Sequence, residues 1–418
     1  MSANMPRLQE AMSAFRLDAV IASSAENTAY LSGFQGQRPY CFREFTIETA
    51  VIVTRGEAYA PCLILPANDA GILCRHPVEV EEIRTYGNIW TRVEVNRPLT
   101  EAEARFQALM TDTEHRAASC ADALAQALKK RGLCKGRVGL DAASLSPSTV
   151  GKLKDMFPGL EFLEAGPLMR YVRMVKTPEE TEALREAGIR NERAVERVLE
   201  QVGEGASEAE LAGLYMKGIA EQGGIFEYWN TAGGPESSMA LMSPGAFRPP
   251  CARRLKKGDL YRYDGGSVFY RYHADAGGCV VVGKANEEQL RIFSALSAGM
   301  ERIFELLRPG ALPSVLLREA VARVEQAGLD NFSRSCFFCG HGIGLEARDY
   351  PTFTRPVTTD APFLPGTLDL PLEENMVVSV ELPYGELGLG GFQIEYTLLI
   401  TSTGAEKLYP HSRELRIC

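Results

Sequence analysis

The stretch Leu260-Tyr-Arg-Tyr-Asp264 is followed by Gly265-Gly266 and then by Phe269-Tyr-Arg-Tyr-His-Ala-Asp275-Ala-Gly-Gly-Cys-Val-Val-Val282. Aromatic and β-branched runs of this kind read as strands, and the glycine pair between them reads as a hairpin turn. Each strand carries one aspartate in a context that looks buried. Carboxylates are seldom buried unless something neutralises them, and several brought together call for a divalent cation.

A second pair repeats the pattern. Met376-Val-Val-Ser-Val-Glu381 and Phe392-Gln-Ile-Glu395-Tyr-Thr-Leu-Leu-Ile400 are joined through Gly385 and the glycines of Gly388–Gly391, so they also read as a hairpin. Two hairpins present four carboxylates to one cavity. His341 adds an imidazole in Cys339-Gly-His-Gly-Ile-Gly-Leu345, where glycines let the backbone approach a crowded centre. Any one of these acids alone is better read as a salt-bridged or edge carboxylate. The set Asp264, Asp275, His341, Glu381 and Glu395 reads as a metal site, with enough ligands for two ions of manganese, cobalt, iron or zinc.

Working outward, the regions around these hairpins look like one α+β domain. Strand-like segments recur at Phe226–Trp229, Leu260–Asp264, Phe269–Val282, Val377–Pro383 and Phe392–Thr401, with helices expected over Glu287–Leu307 and Ser314–Gly328. The domain is expected to start at a helix. Thr177 suits the N-cap, Pro178 the first helical position, and Glu179 and Glu180 the positive end of the dipole. Residues 1–165 alternate short strands (Val20–Ala22, Thr46–Val53) with helical stretches and read as a smaller α/β domain. The division is therefore 1–165, a linker at 166–176, and a catalytic domain at 177–418.

Composition narrows the function. A net charge of −9 over 418 residues argues against a nucleic-acid partner, which needs clustered cations. The basic run Arg253–Lys257 leads into Gly258-Asp259 and reads as a solvated turn. No apolar run approaches the roughly 18 residues that span a bilayer, so no membrane partner is expected. The start lacks the pattern of a secretory leader, and a cytoplasmic protein is expected. Ten scattered cysteines read as reduced thiols, and the lone Cys336-Phe-Phe-Cys339 pair is assigned no redox or zinc role.

On these motifs the chain resembles the pita-bread metalloenzymes: aminopeptidase P, prolidase, methionine aminopeptidase and creatinase. The resemblance extends upstream to Arg173-Met-Val-Lys-Thr-Pro-Glu-Glu180 and to Glu26-Asn-Thr-Ala-Tyr-Leu-Ser-Gly33, which looks like a creatinase-type N-terminal domain. It implies that Asp275 and Glu395 bridge two metals, that Asp264 completes one and that His341 with Glu381 completes the other. It also implies a metal-activated water whose proton passes to Glu381, and a homodimer with N-terminal domains over the neighbouring active sites.

The groups that handle substrate in this family's peptidases are changed. The histidine four residues before the metal histidine is Phe337, and the one seven residues after it is Arg348. The arginine that aminopeptidase P carries two residues before the final glutamate is Gln393, and the usual Thr-Arg-Thr after the second aspartate is Gly277-Gly278-Cys279. No histidine lies between Gly233 and Asp259, where another is expected. Each donor to an oxyanion contributes about 3 to 4 kcal/mol in comparable sites, so ordinary amide hydrolysis should suffer.

Arg348, His273 and Glu381 are accordingly the candidate catalytic groups. Arg348, Phe337, Gln393 and Trp229 are the candidate substrate contacts. The leading expectation is a metal-dependent hydrolase cleaving a C–N bond of a small amino-acid-derived molecule. A conventional Xaa-Pro peptidase or a metal-dependent lyase is the alternative, and a metal-free binding protein ranks last.

Overall fold

The computed structural model describes residues 3–36, 48–56, 60–78, 80–239, 253–360, 362–364 and 366–418. The chain forms two compact units. One is Met1–Val172 with the short return Asp360–Leu364, and the other is Arg173–Thr359 with Pro365–Cys418.

The first unit is built on a seven-stranded mixed sheet. Its order is Arg116–Ala117, Glu82–Tyr86, Cys62–Pro66, Ala50–Thr54, Ala19–Ala22, Lys135–Leu140 and Gly159–Glu164. The apolar strand residues Ile21, Ile52, Ile64 and Val138 are fully buried against Leu124 and Leu128 of the helix Cys120–Lys130. The strand read at Thr46–Val53 sits at Ala50–Thr54, and residues 46 and 47 lie outside the described set. The stretch 166–176, expected as a linker, contains the helix Gly166–Arg173, because Leu168, Met169 and Val172 share a buried face.

The second unit opens on the helix Pro178–Leu199, closed by a reciprocal capping box between Thr177 and Glu180. A second box, Ser207 with Glu210, starts Glu208–Glu221. Two sheets follow. A four-stranded sheet runs Arg416–Ile417, Tyr272–Val281, Leu260–Phe269, Ile225–Gly233. A five-stranded sheet runs Asp349–Thr354, Phe338–Gly342, Val377–Glu381, Glu395–Ile400, Ala405–Lys407. The helices Glu287–Leu306 and Pro313–Gln326 intervene in the chain. This is the expected α+β arrangement.

The first hairpin turns elsewhere than the sequence suggested. Gly265 and Gly266 lie inside the strand Leu260–Phe269, and the turn is made by Tyr270 and Arg271, both with positive φ (49° and 77°). The glycines are needed for space. A Cβ on Gly265 would stand 2.5 Å from the Trp229 ring, and one on Gly266 2.2 Å from the Tyr228 ring. The second connection does use its glycines: Tyr384–Glu386 and Gly390–Phe392 form a small ribbon, with Gly388 at φ 86°.

Among the described residues no helix is long and apolar enough to cross a membrane.

Candidate metal centre

Strand alternation decides which side chains meet. On the four-stranded sheet, Gly277 pairs with Asp264 and Asp275 with Gly266, so both aspartates project from one face. On the five-stranded sheet His341 lies opposite Ser379 and Glu381 opposite Glu395. Ligand atoms of Asp275, His341 and Glu395 all lie within 4.8 Å of one another. His341 Nε2 is 3.6 Å from Asp275 Oδ2 and 3.8 Å from Glu381 Oε1. The charge of Asp264 acts on Asp275, Glu381 and Glu395 alike.

The electrostatics are those of buried carboxyls that repel one another. Burial, then the Asp264 and Glu381 charges, pushes the Asp275 carboxyl well above its ordinary range. Burial, then Asp275 and Asp264, does the same to Glu395. Glu381 is pushed up to about 8 by burial, then by Glu395 and Asp264. Burial lowers His341, and its Nδ1 lies 3.0 Å from the Gly342 carbonyl. A carbonyl only accepts, so Nδ1 carries the proton and Nε2 presents a lone pair. Asp275 Oδ1 and His341 Nε2 are buried without a hydrogen-bond partner. Acceptor atoms left bare in a cluster of acids fit divalent cations with oxygen and imidazole ligands.

Every carboxylate of the set has a polar residue two positions before it, hence on the same strand face. Arg262 Nη2 donates to Asp264 Oδ2 at 3.1 Å. Gln393 Nε2 donates to Glu395 Oε2 at 3.3 Å and to Glu381 Oε2 at 3.0 Å. Ser379, two before Glu381, donates across to Glu395 Oε1 at 2.6 Å. His273, two before Asp275, has Nδ1 2.7 Å from Glu227 Oε2. Glu227 is the extra residue of a bulge between Phe226 and Tyr228, and it reaches His273 two strands away in the sheet. The Tyr228 ring lies against Gly266, and its hydroxyl acts on the Asp275 carboxyl against the burial that raises it. Arg262, Ser379, Glu227 and Tyr228 were not singled out as site residues from sequence. The spacing of two from a ligand was the available signal for Arg262 and Ser379.

The expected substrate contacts separate. Gln393 is inside the acid cluster. Arg348 is exposed, with its guanidinium 4.9 Å over the Phe338 ring, and Phe338 lies stacked beside His341 at 6.0 Å. Phe337 is 57% exposed. Trp229 is corrected to a core residue. It pairs with Gly265, on the sheet face opposite Asp264, stacks 4.2 Å from Tyr215 and donates to the Tyr261 hydroxyl at 3.2 Å. The stretch that lacks the expected histidine includes residues 240–252, which lie outside the described set.

The fold is shared with solved structures. The X-Pro aminopeptidase of Thermotoga maritima superposes with a TM-score of 0.73 at 20% identity, covering 98% of this chain and 100% of that one. By sequence, the Xaa-Pro dipeptidase of Pyrococcus furiosus is 30% identical over 277 residues, 65% of this chain and 73% of the relative. The ectoine hydrolase of Halomonas elongata is 27% identical over 309 residues, 70% and 73% of the two chains. Metallopeptidase family M24 matches residues 182–402, and the Creatinase/Prolidase N-terminal domain matches residues 5–175. The chain belongs to the M24 family, in the pita-bread group of aminopeptidase P and prolidase, and is a metal-dependent hydrolase.

Proposed function

We propose that Asp264, Asp275, His341, Glu381 and Glu395 hold two divalent ions and that the enzyme cleaves a C–N bond of a small amino-acid-derived molecule. The observation that carries this reading is the exchange at the mouth of the site. A fixed cation, Arg348, is braced on Phe338 beside the metal histidine, where the family's peptidases place a neutral imidazole. A permanent guanidinium pairs with a carboxylate in bidentate fashion, which selects a small charged substrate.

Bound ions would supply an acidified water as nucleophile and polarise the bond under attack. The residues do the rest. Glu381, oriented by Gln393, receives the water's proton. Arg348 fixes the substrate carboxylate, and Phe337 covers its apolar side. His273, steadied through Nδ1 by Glu227, serves the leaving nitrogen. A homodimer belongs to the same proposal and rests on the family resemblance, and a cytoplasmic location rests on the reading of the scattered cysteines as reduced thiols.

Similarity to the ectoine hydrolase supports a small non-peptide substrate. Similarity to the Xaa-Pro dipeptidase supports the second reading, a conventional Xaa-Pro peptidase. The two are separated by assaying the Mn²⁺-loaded protein against Xaa-Pro dipeptides and a panel of N-acyl amino acids and cyclic amidines. A small substrate preferred by about 100-fold in kcat/KM is expected. Robust Xaa-Pro hydrolysis with no such preference would overturn the proposal, and an unsaturated product would replace hydrolysis by elimination.

A further inference from the structure

We propose that Arg262 is a positioning residue that organises both metal positions at once, by fixing the direction of the Gln393 amide; this rests on the metal-centre reading above. Arg262 is fully buried on the same strand face as Asp264. Its Nη2 donates to Asp264 Oδ2 at 3.1 Å and also to Gln393 Oε1. With the oxygen end of the amide engaged, its NH2 end is committed to Glu381 and Glu395. One guanidinium thereby holds three of the four acids, Asp264 directly and the two glutamates through the amide. By the family resemblance, Asp264 and Glu381 complete different ions.

A reversed amide would set a carbonyl oxygen against two carboxylates and strand an NH2 group on the guanidinium. Both contacts are repulsive, so the direction of the amide depends on Arg262. Room for the bridge comes from Gly277, where a Cβ would stand 2.4 Å from both Gln393 Nε2 and Glu395 Oε2. Aminopeptidase P carries an arginine at the place of Gln393. Here the guanidinium arrives from the opposite sheet, and the shorter glutamine spans what is left.

Two effects of Arg262 oppose each other. Its charge repels the cations, whereas its hydrogen bonds hold their ligands in place. Loss of partners that orient metal ligands typically weakens binding about 10- to 100-fold. Orientation is expected to win because the freed Gln393 amide is buried and its oxygen is left without the guanidinium that held it.

The test is Mn²⁺ titration of the full chain, with free Mn²⁺ followed by its paramagnetic resonance signal. Wild type, Arg262→Met and the exchange Arg262→Met/Gln393→Arg are compared. Arg262→Met should bind about 10- to 100-fold more weakly, and the exchange, which returns a guanidinium to residue 393, should recover at least part of that loss. Wild-type binding in Arg262→Met, or no recovery in the exchange, would overturn the inference. If Arg262→Met does not fold, Gln393→Leu is the decisive variant, with wild-type Mn²⁺ affinity as the contrary result. A wild-type chain that binds no Mn²⁺ sinks the metal-centre reading itself, a separate outcome.

Discussion

His341 brings Nε2 to 3.6 Å from Oδ2 of Asp275, and both side chains are buried. One residue comes from each of two sheets, so the pair joins the halves of the candidate centre. Held by the Gly342 carbonyl through Nδ1, the imidazole offers a lone pair to a carboxylate, an arrangement that only a proton or a cation relieves.

The metal-free protein should therefore lose stability as pH rises. Glu381, ordinarily near 4.5, is pushed up to about 8, and Asp275 and Glu395 move in the same direction. Between those limits these three carboxyls hold more protons in the folded chain than in the unfolded one, which outweighs the opposite effect of the lowered His341, so raising pH favours unfolding. Calorimetry in chelator should give a lower Tm at pH 8 than at pH 5, with a smaller fall in Glu381→Gln. Equal slopes in the two proteins would count against it.

Gly266→Ala should disturb the site from behind. Its Cβ would meet the Tyr228 ring at 2.2 Å, and the Tyr228 hydroxyl acts on the Asp275 carboxyl. Overpacking of this kind costs about 1 to 3 kcal/mol. Thermal melts of the metal-free variant and Mn²⁺ titration should both register it, and unchanged values in both would be contrary.

Trp229→Phe should lower stability without touching the substrate. The indole is stacked on Tyr215 and bonded to Tyr261, on the face away from the acids. A fall in Tm with KM unchanged is expected once a substrate is in hand. A rise in KM at unchanged Tm would return Trp229 to the substrate contacts.

Arg348→Ala should act on substrate charge. A charge-assisted pair contributes about 1.5 to 3 kcal/mol, so kcat/KM should fall roughly 10- to 100-fold for a carboxylate substrate. The methyl ester of that substrate should be little affected. Equal losses for acid and ester would show that Arg348 holds only the stack on Phe338.

What was legible in the sequence was what local chemistry dictates. The Thr177 N-cap is visible because the signals for that helix start lie within four residues, and the acids stood out because buried carboxylates in apolar strands need neutralisation. Gly265-Gly266 misled because its glycines answer to rings on the neighbouring strand, while the true turn uses Tyr270 and Arg271, unusual residues at positive φ. Trp229 was misplaced because the bulge at Glu227 shifts the strand's alternation, and that shift appears only in the pairing. Arg262 was passed over as one cation in an aromatic run, although its spacing from Asp264 already put it on the same face.

The most direct measurement is elemental analysis of the full-length protein after loading with Mn²⁺ and gel filtration, beside His341→Ala and Glu381→Ala. A dinuclear centre predicts about two ions per chain in the wild type and a clear loss in both variants. Wild-type protein that retains no metal, or variants that retain as much as the wild type, would contradict it.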